Sequence, residues 1–308
     1  MSGIGLISNP YSRKNRKNPA RLQKLIDCAP DKDLVKLPDS FEKMDAAMRV
    51  FKSRNIEVLA VNGGDGTVHV ALCSLIKIYG NKPLPKLSIL KGGTMNQTAT
   101  NLKIKGNSVS IFKRMVDSVA KGKKLKTRKL SLLKANDKYG FIFGNGAVCS
   151  FMDVYHRSGD PSPLIAGKAI LSLIGSIAVR GPLYREVFSP TSQDLTVDGF
   201  NFGKQPYLAT LISTLPEVGL GFKLMHRAAS DYTKAHMMAF HDKAKIIGQI
   251  PRAWLGLSLP ADICDDTVGK RFVIEREKPF KYTLDGDFYT SSGNLVIDTG
   301  PVMNIIVE

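Results

Sequence analysis

Two glycine-rich segments, each directly after an apolar run, are the residues of this sequence best suited to chemistry. Residues 63–67 (GGDGT) follow the apolar run 58–61, and residues 92–96 (GGTMN) follow the run 87–90. Glycines let the backbone approach an anion closely, and a helix that begins at such a turn presents N–H groups with partial positive charge. We therefore expect the two segments to bind the phosphates of one nucleotide at neighbouring strand ends.

Asp65 is the only acidic residue in these two segments. Because a carboxylate is a poor direct partner for phosphate, we expect Asp65 to bind Mg²⁺ or to organise phosphoryl transfer. Thr94 and Asn96 offer neutral hydrogen bonds to phosphate or ribose oxygens. The two segments therefore predict a nucleotide site made of Gly63, Gly64, Asp65, Gly66, Thr67, Gly93, Thr94 and Asn96.

A purely structural explanation is open for each segment taken alone. The glycines of the first can serve helix–strand packing only, and the second by itself is a plain loop. A Walker A pattern is absent and GxGxxG is not satisfied in the first turn, which argues against P-loop and Rossmann sites. Residues 9–18 add four cations, which either screen a triphosphate or form a solvated basic loop.

Over the first 125 residues, short apolar runs alternate with helical patterns, and these elements would position the two segments. This alternation is typical of a parallel sheet covered by helices. In the second predicted helix, Asp39 and Glu42 have the spacing of a capping box. The predicted strands are 3–8, 34–37, 58–61 and 87–90, and the predicted helices are 19–28, 41–54, one that follows Thr67, and 108–121.

The pattern changes at residues 121–129, where six of the nine residues are Lys or Arg. We interpret this segment as an interdomain connector. Beyond it, 129–135 and 139–143 are predicted to form a hairpin, and the second half is predicted to be mostly antiparallel sheet. Further turn signals are Asp198-Gly199, Asp285-Gly286 and Ser292-Gly293. The predicted domains are 1–127, an α/β nucleotide-binding domain completed by a C-terminal strand at 296–308, and 128–295, a β-rich substrate domain.

Four segments occur in an order that is typical of one enzyme family: Asn9-Pro10, GGDGT, GGTMN, and Leu-Asp-Gly-Asp at 284–287. In this order they resemble the diacylglycerol kinase catalytic family, which includes bacterial lipid kinases and sphingosine kinases and belongs to a superfamily with NAD kinases. The resemblance implies an NAD kinase-like α/β domain and an antiparallel β-sandwich domain. It also implies ATP with Mg²⁺, and transfer of the γ-phosphoryl group to a lipid hydroxyl. It adds Asn9 to the predicted nucleotide-binding residues.

The resemblance further implies that Asp287 is the general base, one methylene shorter than the Glu that is usual there. The predicted catalytic residues are therefore Asp287 and Asp65. Without the resemblance, residues 284–287 are an ordinary type I′ hairpin turn. Three positions depart from the family pattern, because Gln97, Ser131 and the region of Val218 lack the acids that are usual there. A structural Mg²⁺ site is therefore not supported, and the acceptor can differ from diacylglycerol.

The composition favours polyanionic partners, since 44 Lys and Arg against 27 Asp and Glu give a formal charge of +17. We expect ATP, a lipid substrate and an anionic membrane surface as partners, and no specific nucleic acid, because no nucleic-acid-binding module is recognisable. A homodimer is left open. Four cysteines without a CxxC pair fit a reducing compartment.

The most apolar stretch, residues 164–179, is shorter than the roughly 20 residues that a membrane-spanning helix needs. We therefore expect a cytoplasmic protein that is peripheral at the membrane. The stretch itself is either an amphipathic lip for lipid entry or a core helix. His226, His236 and His241 fit neither HExxH nor a zinc finger and are expected to be structural or on the surface.

The leading interpretation of the sequence is a lipid kinase that acts on a diacylglycerol-like or sphingoid-like acceptor. One alternative is a kinase with a soluble substrate, as in NAD kinases. Another is a catalytically weakened nucleotide- or lipid-binding protein, suggested by the missing acids.

Overall fold

The computed structural model describes residues 3–157, 187, 189–219, 221–228, 230–241 and 247–307. The predicted apolar stretch 164–179 lies outside the described residues. The chain divides into two compact units, Met1–Leu130 with Val302–Glu308, and Ser131–Pro301.

Unit 1 is a parallel sheet with helices, as the alternating pattern predicts. The sheet order is β2, β1, β3, β4 and then the end of β16, and every one of these pairings is parallel. The strands are β1 (Ile4–Ser8), β2 (Val35–Lys36), β3 (Val58–Asn62), β4 (Lys86–Ile89) and β16 (Asn294–Ile306). The helices are α1 (Arg13–Lys17), α2 (Pro19–Asp27), α3 (Phe41–Ser53), α4 (Asp65–Tyr79), α5 (Gln97–Asn101) and α6 (Ser108–Ala120).

Every residue of β1 and β3 is buried, which explains why these strands are continuous apolar runs and not alternating ones. Because the strands are parallel, the ends of β1, β3 and β4 lie at the same edge of the sheet. The loops that follow these three strands contain the glycine segments and the basic loop. The fold of unit 1 therefore gathers the predicted phosphate-binding segments at one edge.

The predicted capping box at Asp39 and Glu42 is wrong. Ser40 is the N-cap of α3, with an extended backbone and a hydroxyl that accepts a hydrogen bond from the Lys43 N–H at 3.3 Å. Asp39 lies one residue too early and instead pairs with the Lys43 ammonium at 2.8 Å.

Among the described residues, unit 2 contains two antiparallel sheets and two α-helices. One sheet has the order β16, β13, β8, β9, with β5 beside β16 and β6, and the other has the order β12, β11, β10, β7, β14, β15. The remaining strands are β5 (Thr127–Ala135), β6 (Lys138–Gly140), β7 (Ile142–Gly146), β8 (Thr191–Val197), β9 (Phe200–Tyr207), β10 (Ala209–Ser213), β11 (Ala235–Phe240), β12 (Cys264–Gly269), β13 (Arg271–Glu275), β14 (Phe280–Leu284) and β15 (Asp287–Ser291). The helices are α7 (Ala147–Arg157) and α8 (Ile250–Leu255).

The core of unit 2 is formed by apolar side chains from both sheets, as in a β-sandwich. Leu195, Phe272 and Ile297 from the first sheet belong to the same buried cluster as Phe143 and Tyr282 from the second. The predicted hairpin around residues 136 and 137 is confirmed by the pairing of β5 with β6. The predicted fold class, a parallel α/β domain with an antiparallel second domain, is therefore confirmed.

A buried polar chain also joins the two sheets of unit 2. The Asn145 amide donates to the Gln193 side-chain oxygen at 3.0 Å, and the Gln193 amide donates to the Thr210 hydroxyl at 2.6 Å. All three side chains are buried. An unpaired polar group in the buried core would be costly, so these hydrogen bonds fix how the strands of the two sheets face one another.

Candidate active site

The first glycine turn joins the buried end of β3 to the start of α4. A Cβ on Gly63 would lie 2.3 Å from the Cβ of Thr67, so no other residue fits this close strand-to-helix connection. Gly64 is the N-cap of α4 and has no side chain with which to cap this helix. A helix of 15 residues begins here, and its first N–H groups carry the positive end of the helix dipole. The turn has the geometry of an anion site.

The second glycine turn lies directly against the first. A Cβ on Gly93 would lie 2.1 Å from the Gly64 Cα, and one on Gly92 would lie 2.5 Å from the Asn62 side-chain oxygen. Both clashes are with groups that are fixed in place, so the glycines permit a backbone-to-backbone contact that any side chain would prevent. The structure thus brings the two predicted segments together.

Asn96 shapes the second turn from within. Its backbone is left-handed, with φ of 50°, and its side chain exchanges two hydrogen bonds with Gly93. The Gly93 N–H donates to the Asn96 oxygen at 3.0 Å, and the Asn96 amide donates to the Gly93 carbonyl at 2.9 Å. Thr94 is half-buried in the same turn. Asn96 therefore holds the turn in shape, and contact with a ligand stays a prediction for both residues.

Asp65 is the first residue of α4 and links the first turn to the helix that follows the second. Its carboxylate accepts a hydrogen bond from the Thr98 N–H at 3.3 Å, near the start of α5. Within the described ranges, no three His, Cys, Asp or Glu side chains cluster as a metal site would require. A Mg²⁺ that arrives with nucleotide phosphates needs only one or two protein carboxylates, so this single carboxylate fits such an ion.

Asn9 connects the loop after β1 to the first glycine turn. Its amide donates to the Thr67 hydroxyl at 3.1 Å, and its backbone N–H donates to the Asn62 carbonyl at 3.0 Å. Asn15 supports this contact by donating to the Asn9 carbonyl at 2.7 Å and by accepting from the Asn62 amide at 3.1 Å. Sequence reasoning missed Asn15 and Asn62, and the only signal was a polar residue that ends an otherwise apolar strand.

Lys14 is the cation of the basic loop that the structure places against the second glycine turn. Its N–H donates to the Gly92 carbonyl at 3.2 Å, and its ammonium donates to the Lys91 carbonyl at 3.3 Å. Burial lowers the pKa of Lys14 below its ordinary value, and the charges of Lys91 and Arg21 lower it further. An anion bound beside Lys14 would oppose both effects and stabilise its charged form.

In unit 2, residues 284–287 form a hairpin turn of the type I′ class. Asp285 and Gly286 have φ of 53° and 95°, and Leu284 pairs with Asp287 across the turn. The Asp285 carboxylate accepts the N–H groups of Phe141 at 2.9 Å and of Ile142 at 2.9 Å. Asp285 is thus the residue that fixes the turn to the neighbouring chain.

Asp287 has a different position in the same turn. It is the first residue of β15 and is half-buried. The adjacent Gly286 lies near α7, where an added Cβ would be 3.6 Å from the Met152 methyl group. The role of Asp287 as a base stays a prediction.

The three positions that depart from the family pattern also have definite places. Gln97 is the first residue of α5, Ser131 is buried in β5, and Val218 packs on the apolar cluster beside the second sheet of unit 2. Of the histidines, His236 is fully buried and bonds to the Asp266 carboxylate at 2.9 Å. Burial opposes ionisation of Asp266, but His236 and Arg227 outweigh it and lower the pKa of Asp266.

Residues 4–127 match the family model of the diacylglycerol kinase catalytic domain. The resemblance to this family is confirmed. The matched residues include both glycine turns, Asn9 and Lys14, and the match supports a kinase that uses a nucleotide. No curated protein matches the sequence significantly.

Solved structures agree on the fold over the whole chain. A diacylglycerol kinase from Bacillus anthracis str. Sterne is 14% identical with a TM-score of 0.68, covering 100% of this chain and 97% of its own. Two more structures from the same organism have TM-scores of 0.71 and 0.73 at 15% and 17% identity, with the same coverage. An NAD kinase from Archaeoglobus fulgidus in complex with ATP is 12% identical with a TM-score of 0.50, and the match covers 98% of this chain and 93% of the NAD kinase chain. At these identities the likeness establishes the fold alone.

Proposed function

We propose that this protein is an ATP-dependent lipid kinase that transfers the γ-phosphoryl group of ATP to a hydroxyl of a membrane lipid. The observation that carries the proposal is the direct contact between the two glycine turns, at the start of α4 and within the residues that match the kinase family. The N–H groups at the start of α4 suit the oxygens of a polyphosphate, and the second turn lies directly beside them.

Unit 1 is assigned nucleotide binding. The turns around Gly63 and Gly93 would hold the phosphates, Lys14 would neutralise part of their charge, and Asn9 would fix the first turn through Thr67. Asp65 would hold the Mg²⁺ that accompanies ATP, and this ion would neutralise charge on the phosphates.

Unit 2 is assigned the acceptor and the base. The Asp287 carboxylate would take the proton of the lipid hydroxyl while that oxygen bonds to the γ-phosphorus. The bond from the γ-phosphorus to the bridging oxygen then breaks, and ADP leaves with the electron pair. Asp285 would keep the hairpin in place through its bonds to the Phe141 and Ile142 N–H groups.

A lipid is the proposed acceptor for three reasons. The GGTMN and Leu-Asp-Gly-Asp segments favour the lipid branch of the superfamily, and a similar solved structure is described as a diacylglycerol kinase. The formal charge of +17 also suits work at an anionic membrane surface. Among the residues that the structure describes, no helix has the length and apolar character to cross a membrane.

The proposal is tested by incubating the protein with γ-labelled ATP, Mg²⁺ and a total lipid extract in mixed micelles. The matched variant is Asp65→Asn, which keeps an oxygen to accept the Thr98 N–H but removes the charge. We expect labelled lipid with the wild type and at least a hundredfold less with the variant. A parallel reaction with NAD in place of lipid tests the soluble-substrate alternative, and label in NADP instead of lipid would refute the proposal.

A further inference from the structure

Three large apolar side chains are exposed within four positions at the end of α8. The exposed fractions are 55% for Trp254, 69% for Leu255 and 49% for Leu257. The next apolar residue, Leu259, is buried at 8% in the cluster beside the second sheet. The segment is thus anchored to the core of unit 2 at Leu259, while the residues before it face solvent.

The exposed patch has an ordered support. The rings of Trp254 and Phe222 stack with centroids 5.4 Å apart and an angle of 28°. Phe222 is itself held in a tight loop, because its N–H donates to the Gly219 carbonyl at 2.9 Å and its carbonyl accepts the Val218 N–H at 3.1 Å. An aromatic side chain that is fixed in solvent loses little conformational freedom when it inserts into another medium.

Cations flank this patch. Lys223 and Arg252 are both exposed. The Arg252 guanidinium donates to the Ser258 carbonyl at 3.0 Å, which keeps it beside the exposed leucines. Lys223 lies next to Gly256, whose built Cβ would be 3.1 Å from the Lys223 Cβ. The surface therefore combines one indole, two leucines and two positive charges.

We propose that this surface, formed by Lys223, Arg252, Trp254, Leu255 and Leu257, docks the protein on a bilayer that contains anionic lipids. Tryptophan is favoured at the level of the headgroups, leucines enter the acyl boundary, and cations bind anionic headgroups. A stable protein interface buries about 1,200 Å² or more, which three exposed side chains in and just after one short helix do not supply. The choice of a membrane over other apolar partners rests on the proposed lipid kinase function.

Trp254 is the only tryptophan in the chain, so its fluorescence reports directly on this surface. On mixing with vesicles of phosphatidylcholine and phosphatidylglycerol, we expect a blue shift of the emission and quenching by brominated acyl chains. Phosphatidylcholine vesicles alone are expected to bind more weakly, because they offer the cations no anionic headgroups. Vesicle binding without any change in the Trp254 emission would overturn the proposal, and so would the absence of vesicle binding.

Two variants and a control separate the contributions. The double substitution Leu255→Ser and Leu257→Ser is expected to weaken binding roughly tenfold or more. The double substitution Lys223→Gln and Arg252→Gln is expected to weaken it roughly fivefold for each cation, on anionic vesicles only. Phe200→Ser, at a site that is 66% exposed elsewhere in unit 2, should leave binding unchanged. An equal loss in Phe200→Ser would overturn the assignment of this surface.

A kinase assay with a short-chain lipid acceptor, kept below its critical micelle concentration, distinguishes this proposal from the proposed function. The leucine double variant should phosphorylate that soluble acceptor like the wild type and lose activity only on vesicles. If the wild type phosphorylates no acceptor but Trp254 still reports insertion, the kinase proposal fails and the docking surface stands. Equal loss on both acceptors would overturn the docking role.

Discussion

Gly93→Ala is the substitution for which the structure gives the clearest expectation. The new Cβ would lie 2.1 Å from the Gly64 Cα and 2.9 Å from the Gly64 nitrogen, about 1.3 Å short of the 3.4 Å at which ordinary contact begins. Both neighbours are backbone atoms, so no side-chain rotation relieves the clash. The two glycine turns must separate by about 1 Å, and a displacement of that size is enough to cost about a hundredfold in kcat/KM.

The same clash lowers the stability of unit 1. Overpacking of this kind costs about 2–3 kcal/mol when the opposing group cannot move. Gly64→Ala is the matched control, because its Cβ meets only the Gly93 Cα, at 3.4 Å, and Gly64 has φ of −85°. We expect that control to cost at most about 1 kcal/mol, from the change of an N-cap residue.

Urea denaturation and calorimetric titration with ATP measure both effects. We expect an earlier denaturation midpoint and much weaker ATP binding for Gly93→Ala than for Gly64→Ala. If Gly93→Ala is as stable as the control and binds ATP as tightly as the wild type, the two turns do not form one site.

Three more outcomes are expected. Asp285→Ala leaves two backbone N–H groups without their acceptor and should destabilise the protein by about 2–4 kcal/mol. Urea denaturation measures this change. An unchanged denaturation midpoint would contradict the role of Asp285 in fixing the hairpin. The pKa of Lys14 is lowered from 10.5, so Lys14 should lose its positive charge at a lower pH than an ordinary lysine. KM for ATP should therefore begin to rise at that lower pH. Lys14→Arg, which stays charged, should remove that rise, and an identical pH profile would rule Lys14 out. Burial raises the pKa of the Cys149 and Cys264 thiols to about 12. Iodoacetamide at about pH 8 should therefore label neither thiol in the folded protein. Mass spectrometry that finds either cysteine labelled would contradict this expectation.

Strands β1, β3 and β4 could be predicted within a residue or two because nearly all of their residues are buried. Continuous apolar runs such as β3 (Val58–Asn62) end at glycines, and the same glycines mark the start of α4. Helices α1 and α5 were not predicted, since each has only five residues and no amphipathic period. The cap of α3 was predicted one residue too early, because Asp39 and Ser40 are both good capping residues and only the backbone angles distinguish them.

The contacts between segments that lie far apart in the chain could not be predicted. Lys14 touches Gly92, and Asn9 touches Thr67, through hydrogen bonds that leave no periodic pattern in the sequence. Nor could the sequence tell which acid of the Leu-Asp-Gly-Asp turn faces the backbone. In the structure Asp285 does so, and the role of Asp287 as base stays a prediction from the family resemblance.

The central claim is that the protein moves the γ-phosphoryl group of ATP to a lipid hydroxyl, with Asp287 as base. The most direct measurement follows γ-label into the organic phase of a lipid reaction for the wild type and for Asp287→Asn, alongside ATP affinity for both. We predict labelled lipid with the wild type, a loss of about a hundredfold or more in the variant, and equal ATP affinity, because the amide cannot accept the proton. Label that stays in the aqueous phase with the wild type, or labelled lipid at the same rate with Asp287→Asn, would contradict the claim.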